Sequence, residues 1–459
     1  MVALLAACTA FQLNASMLSP VLVVIGRELQ ADEVTVGLSQ TAFFTSTALF
    51  GLFLPRFSDI VGRRRIMLLM LTVMTGGAVL AALAPNMPVL IAARAIQGVS
   101  GAVVAVCLMI LRSEIRDARR YGALMGVVTA VNGGIAGIDA LAGGFLATHF
   151  GFRPVFWVIV VVGAAAALFA FRYIPESRPS HGVRMDWSGT AALTLCILLL
   201  QLAVNEMGKG ALADWFLTAA LIAGGVMTAV LFWTIEKSVA QPLASPALLK
   251  QRATWATVLT TVLTMAGVFA TVNGLVMSLA QNTQVGFRLE ADSASLLLLT
   301  PYALLGWLAG PFAGRLASTL GYTTILRTGL LASAGGIVVM AMFGTDNLPI
   351  LVAGTVFLGL TYAGMANIML NGLGVVLSPT SNPGFLPGLN SAGFGLGAGL
   401  SFAVLPAVQA ASQTAETGYE LGMLAGGGLT GLAFLMSLLI PKPVGAEVRH
   451  SSASPPPHA

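Results

Sequence analysis

Two residues of this sequence carry charge where an apolar helix ordinarily carries none. They are Asp139, in Asn132-Gly-Gly-Ile-Ala-Gly-Ile-Asp139-Ala-Leu-Ala-Gly-Gly144, and Arg94, in Arg94-Ala-Ile-Gln97-Gly98-Val-Ser-Gly101. A charge at the bilayer centre costs at least ~2.5 kcal/mol, so such residues mark function or pair with one another. Arg94, Gln97, Gly98 and Gly101 recur at i, i+3, i+4 and i+7 and therefore share one helical face. Consecutive membrane helices run in opposite directions. On that basis Arg94 lies about six residues, ~9 Å, from one boundary, and Asp139 about nine residues, ~14 Å, from the same boundary. The expected chemistry is an Arg94–Asp139 pair, each charge less costly beside the other. Burial and a neighbouring cation act on a carboxyl group in opposite senses. A cavity opening alternately to two sides changes both, which would let Asp139 take a proton on one side and release it on the other.

The elements that position these residues follow from composition. Of 459 residues, 57% are hydrophobic and 9% charged, against roughly 25% charged in soluble domains. The mean hydropathy is +0.88. Apolar runs of about 20 residues recur along the chain, which defines an all-α polytopic membrane protein. Fourteen runs are expected, from 3–26 to 418–440, with Asp139 in the fifth, 121–148. Of the 23 Lys and Arg residues, 18 fall on one side of the expected spans, 4 on the other, and Arg94 within one. Positive residues mark the cytoplasmic side, so both termini are expected in the cytoplasm of a multi-pass inner-membrane protein. This bias also accounts for the net charge of +5 without nucleic acid. The three cysteines Cys8, Cys107 and Cys196 stand singly in apolar runs and have no pair or metal spacing.

An internal repeat is visible. Pro55-Arg-Phe-Ser-Asp59-Ile-Val-Gly62-Arg63 follows the second span and Gly314-Arg-Leu-Ala-Ser-Thr-Leu-Gly321-Tyr322 the tenth. Two similar halves each opening on the same helix–loop–helix are a transporter signature. The copies stand eight spans apart rather than six. The expected organisation is thus a first six-helix half at 1–175, two extra helices with their flanking loops at 176–252, a second six-helix half at 253–440, and a disordered tail at 441–459.

On these residues the chain resembles the major facilitator superfamily, and within it the fourteen-helix drug:proton antiporters. Ser58-Asp59-Ile-Val-Gly62-Arg63-Arg64-Arg65 is similar to the superfamily's loop motif between helices two and three, with Pro55 in place of its leading Gly. The Arg94–Gly101 run resembles the antiporters' fourth-helix motif, and Asp139-Ala-Leu-Ala-Gly143-Gly144 their fifth-helix motif, with Asp139-Ala140 in place of Gly-Pro. Met185-Asp-Trp-Ser-Gly189 resembles the start of the first extra helix in that branch. The first helix lacks the acid of many relatives and offers Gln12, Asn14 and Ser16.

The resemblance implies a cytoplasmic gate of Asp59, Gly62, Arg63 and Arg64, closing the halves with Glu114 or Asp117 as acidic partners and Arg315 as the second-half counterpart. A substrate pathway is expected along the isolated amides Gln12, Asn14, Gln97, Asn132, Asn273 and Asn367. Asn371 and Asn390 belong to the same set, and each amide alone is more often an interhelical hydrogen bond. Gly133, Gly137 and Gly144 form one small-residue stripe for helix packing, and Gly393 and Gly397 another. The four histidines, His149, His181, His450 and His458, are dispersed. Neither a catalytic cluster nor a metal or ATP-binding motif is found, so the chain is not expected to be an enzyme. The expected function is proton-driven export of amphipathic, drug-like compounds by alternating access, with uptake or facilitated passage of a small polar metabolite as the alternative. Its expected partners are lipid and a small-molecule substrate, with no cofactor beyond the proton gradient, and it is expected to act as a monomer.

Overall fold

In a computed structural model the chain is a bundle of long helices. The structure describes residues 1–115, 118–176, 185–209, 213–378 and 385–442; within the helix at 118–150 it describes the side chains at 124, 127, 128, 135 and from 137 onward. The helices are α1 (Val2–Glu28), α2 (Glu33–Val61), α3 (Arg63–Ala82), α4 (Met87–Glu114), α5 (Ala118–Phe150), α6 (Arg153–Tyr173) and α7 (Trp187–Met207). They continue with α8 (Trp215–Ser238), α9 (Arg252–Gln281), α10 (Ala291–Ala317), α11 (Tyr322–Phe343), α12 (Leu348–Val376), α13 (Phe385–Ala410) and α14 (Ala415–Ser437). Among the described residues, 13 are long and apolar enough to cross a membrane. The remaining one, α5, has 33 residues, or ~50 Å of helix. No strand occurs among the described residues. Helices satisfy every backbone group internally, which a bilayer demands. The tail beyond Lys442 lies outside the described residues.

The repeat is written into the backbone. Gly62 ends α2 with φ 119° and ψ 130°, and Gly321 follows α10 with φ 86° and ψ 144°. A residue with a side chain is strained at these angles, so glycine recurs there for a geometric reason. A second copy is equally physical. Asn86-Met-Pro88 and Asn347-Leu-Pro349 begin α4 and α12. Each Asn carboxamide oxygen accepts a bond from the amide three residues on, at 3.1 Å from Val89 and 3.2 Å from Ile350. Each Pro sits where its missing N–H is not needed.

The equivalent helices depart from ideal α geometry in opposite senses. In the first half, α1 passes through a turn at Met17–Leu18 and a 3-10 stretch at Ser19–Val21, and α4 contains a 3-10 stretch at Gly98–Ala102. In the second half, α9, α10 and α12 contain π stretches at Thr271–Val276, Ser295–Leu299 and Gly359–Ala366. Such stretches cluster at functional sites.

The halves meet where α2 packs on α13 and α5 on α10. One large apolar core runs through both halves, and a second lies within the first half around Met67, Met70, Val103 and Cys107. Helices α7 and α8 pack chiefly on each other, with α7 beside the seam of α2 and α13. Their outer faces are apolar and open, Phe216 being 86% exposed, as lipid-facing surfaces are.

Candidate functional site

Arg94 lies on α4 and is 1% exposed. Its guanidinium donates to Gln97 Oε1 at 2.5 Å, Asn14 Oδ1 at 2.8 Å and the Asn14 carbonyl at 3.2 Å through one nitrogen. Through the other it donates to Gln40 Oε1 at 2.6 Å. The Phe43 ring covers its face, with Cζ 4.0 Å from the centroid. Three carboxamide oxygens from α1, α2 and α4 thus replace a counter-ion. Hydrogen bonds to a charged group contribute about 1.5–3 kcal/mol each, which offsets desolvation. The Nε of Arg94 and the amide nitrogens of Asn14 and Gln97 have no partner. The same helix face packs α4 on α2: a Cβ at Gly98 or Gly101 would strike the α2 backbone at Phe43 or Thr47.

Asp139 lies on α5 and is 4% exposed. Its Oδ2 accepts from Ser16 Oγ at 2.5 Å, and its Oδ1 has no partner. Gln12 Nε2 donates to the same Ser16 Oγ at 2.9 Å. The Arg94–Asp139 pair expected from the sequence is not formed; among the described residues no carboxylate lies within ion-pair distance of Arg94. The reason is α1. Asn14 faces Arg94 and Ser16 faces Asp139, and residues two apart on a helix point about 200° apart while differing in depth by ~3 Å. The charges share a depth but flank α1 on opposite sides.

Next along α1, Ser19 Oγ donates to Asn273 Oδ1 at 3.0 Å, joining the break in α1 to the π stretch of α9. Gln12, Ser16 and Asn273 are all part-buried, so this polar strip borders the space between the halves. Phe44, Phe269 and Phe402 form its apolar border, with ring centroids 5.0–6.3 Å apart. On α12, Asn371 Nδ2 donates to Asn367 Oδ1 at 3.2 Å. Their neighbours fix their face, since Ile368 meets Gly310 of α10 and Leu370 receives a bond from Asn390 of α13. Asn367 is half-buried and Asn371 exposed, on the face of α12 between its contacts to α10 and α13. Asn390, by contrast, is a brace: it accepts from Thr261 of α9 at 2.5 Å and donates to the Leu370 carbonyl. The side chain of Asn132 lies outside the described residues, as does Gly133 at the same level.

At the arginine-rich face, Arg63 meets Asp59 at 2.9 Å and donates to the Met109 carbonyl at 2.8 Å. These two partners belong to α2 and α4 of the first half, so the contacts tie α2, α3 and α4 together. Gly62 sits against the Glu176 carboxylate, which also meets Arg65 at 3.5 Å. Arg64 donates to the Phe171 carbonyl. Glu114 and Arg315 are exposed, and Asp117 lies outside the described residues.

The remaining glycines are contact points between helices. Gly137 faces Ala303 of α10, and Gly144 faces Ala291 and Ser295 of the same helix. Gly393 and Gly397 face Val258 and Val262 of α9, while Gly395 and Gly399 face α2. A polar latch at the face opposite the arginines was not anticipated from the sequence. Glu33, at the start of α2, accepts from Ser278 of α9 at 2.5 Å, Gln409 of α13 at 2.6 Å and Tyr419 of α14 at 2.8 Å. Gln281 donates to the Pro20 carbonyl at 3.1 Å, and the Asp292 amide to Thr148 Oγ1 at 3.1 Å. Five described polar contacts between the halves therefore lie on this side.

The chain is similar to known proteins in sequence and in fold. The uridine/deoxyuridine transporter of Lactococcus lactis subsp. cremoris (strain MG1363) is 46% identical over 451 residues, spanning 96% of this chain and 94% of that one. The multidrug resistance protein Stp of Mycobacterium tuberculosis (strain CDC 1551 / Oshkosh) is 27% identical over 367 residues, 77% of this chain and 65% of its own. In fold, a POT family transporter in complex with a thioalcohol-conjugated peptide superimposes with a TM-score of 0.69 at 13% identity, covering 95% of this chain and 94% of the other. The first relative overturns the expectation of a drug exporter. The fourth-helix motif that suggested export is, in this structure, scaffold: Arg94 and Gln97 build the amide cage and Gly98 and Gly101 seat α4 on α2. A motif spent on packing does not report the substrate. The alternative, a carrier of a small polar metabolite, fits better, and the fold and the resemblance alike are those of a multi-pass transporter rather than an enzyme. The Major Facilitator Superfamily profile matches residues 4–402, and the chain belongs to that superfamily.

Proposed function

We propose that this chain takes up pyrimidine nucleosides, uridine and deoxyuridine foremost, in symport with protons. The observation that carries the reading is the 46% identity to a uridine/deoxyuridine transporter over 96% of the chain. The interior supports it chemically. A uracil base presents a flat π face and an edge of two carbonyls flanking an N–H. Carboxamides such as Gln12, Asn273, Asn367 and Asn371 offer both a donor and an acceptor to such an edge. Of the neighbouring rings, Phe269 is half-buried and offers a face for stacking. Asp139 is the proton site, because it is a buried carboxyl group with one oxygen unpartnered beside this polar strip. The arginine-rich face is cytoplasmic, as the positive-residue bias requires, and the Glu33 latch closes the outside. The transporter works in the cytoplasmic membrane as a monomer, with the proton gradient as its energy source and no other cofactor.

The test is uptake of labelled uridine into proteoliposomes with and without an imposed proton gradient, competed by deoxyuridine, cytidine and adenosine. Saturable uptake, concentrated by an inward proton gradient and blocked best by deoxyuridine, is the expected result. Uptake that ignores the gradient would make the protein a uniporter, and absence of saturable uridine uptake would end the nucleoside reading.

A further inference from the structure

Ser16 has one hydroxyl proton and three polar neighbours. Asp139 Oδ2 lies at 2.5 Å, and the side-chain nitrogen and backbone carbonyl of Gln12 each lie at 2.9 Å. The Gln12 amide donates, so it occupies one of the two lone pairs on Ser16 Oγ. The Ser16 proton can then go to Asp139 or to the Gln12 carbonyl, not to both. An ionised Asp139 can only accept and takes the Ser16 proton. A neutral Asp139 brings its own proton, donates it into the second lone pair of Ser16, and turns the Ser16 proton back onto the Gln12 carbonyl. Each state has a complete bonding pattern, reached by rotating one hydroxyl while the proton enters or leaves Asp139.

The two patterns differ mechanically. A serine bonded to the carbonyl four residues earlier bends its helix. Here that bond ends one residue before the turn at Met17–Leu18, and Ser19 beyond the turn holds Asn273 of the other half. We infer that Ser16 is the positioning residue that passes protonation of Asp139 to the break in α1, and through Ser19 and Asn273 to the second half. The inference rests on the reading of Asp139 as the proton site. The charged and titratable groups on the helices packed around α5 do not compete for Ser16. They are Cys8 two turns into α1, Arg27 and Glu28 at its far end, Arg94 beyond α1, and Cys107, Arg112 and Glu114 farther along α4. The others are Arg153, Arg172 and Tyr173 at the ends of α6, and Asp292, Tyr302 and Arg315 on α10.

Ser16→Ala, Ser16→Thr and Asp139→Asn are compared in proteoliposomes by two measurements. One is uridine counterflow, which needs no proton gradient; the other is gradient-driven accumulation with the pH profile of KM. Ser16→Ala is expected to lose about tenfold more in accumulation than in counterflow, as a charge-assisted bond is removed, and to displace the pH profile of KM. Ser16→Thr, which keeps the hydroxyl, is expected to restore both. Should Ser16→Ala not fold, Ser16→Gly is read in the same way. Wild-type accumulation and pH profile in the Ala or Gly variant, or failure of Thr to restore them, overturns the role of Ser16. Full gradient-driven accumulation in Asp139→Asn overturns the proton-site reading beneath it. A coupling-dead Asp139→Asn beside a normal Ser16→Ala removes Ser16 alone.

Discussion

Arg94 and Asp139 are two buried charges at one depth, separated by the width of α1, and they are treated differently. Arg94 is bound by Asn14, Gln40 and Gln97 and covered by Phe43. Asp139 is bound by one hydroxyl and keeps a bare oxygen. A charge that three helices converge to solvate holds those helices in place. A charge left half-solvated can change its protonation without dismantling anything. The contrast suits the cation to scaffold and, on the proposal above, the anion to chemistry, where the sequence alone suggested a single shared site.

The comparison can be broken at several points, in descending order of effect on stability. Arg94→Leu leaves three buried carboxamides facing an apolar group and is expected to destabilise the folded protein by about 3 kcal/mol or more. Thermal unfolding in detergent, followed by monodisperse fraction, would reveal it; a wild-type melt would mean the cage is dispensable. Gln40→Leu removes one acceptor from the guanidinium and is expected to lower stability by about 1.5–3 kcal/mol in the same assay. Asp139→Asn is expected to change stability by less than about 1 kcal/mol, since an amide still accepts from Ser16. A collapse of the melt on that substitution would erase the distinction between the two charges. Smallest is Glu33→Gln, which trades a charged acceptor for a neutral one in the latch to Ser278, Gln409 and Tyr419. It is expected to raise about fivefold the labelling rate of a cysteine placed at Ser19, a position 2% exposed behind the latch. An unchanged rate would show that the carboxylate does not hold that face shut.

What was legible in the sequence follows the range of the interactions involved. Membrane helices announce themselves because lipid leaves the backbone no alternative, and the duplication was visible at Gly62 and Gly321 because positive φ demands glycine. The Asn-x-Pro starts of α4 and α12 carried the same message in local capping chemistry and were available to be read. The amide cage was not legible: which residue meets Arg94 depends on how α1 and α2 are rotated, and Gln40 and Phe43 bear no local mark of it. Proximity in depth was inferred for Arg94 and Asp139, but depth says nothing about which side of an intervening helix each occupies. Glu33 was hidden by its position, since an acid in the first turn of a helix is ordinarily explained by the helix itself. The substrate was misread for a related reason: the residues taken as an export motif serve the contact between α4 and α2, which carriers of different solutes can share.

The opposite distortions of equivalent helices also bear on length. A 3-10 stretch advances ~2.0 Å per residue where an α-helix advances ~1.5 Å. The five residues Gly98–Ala102 of α4 therefore carry about 2.5 Å of extra reach, and relaxing them to α pitch would draw the Arg94 end of α4 toward the arginine-rich face by that amount. In α12, the equivalent helix, the stretch Gly359–Ala366 is wound the other way and holds more residues per turn than an α-helix. The two halves are thus matched in topology but not in spring: one is stretched at its centre and the other compressed. If the proposed transport rocks one half against the other, both halves have length at their centres to draw on.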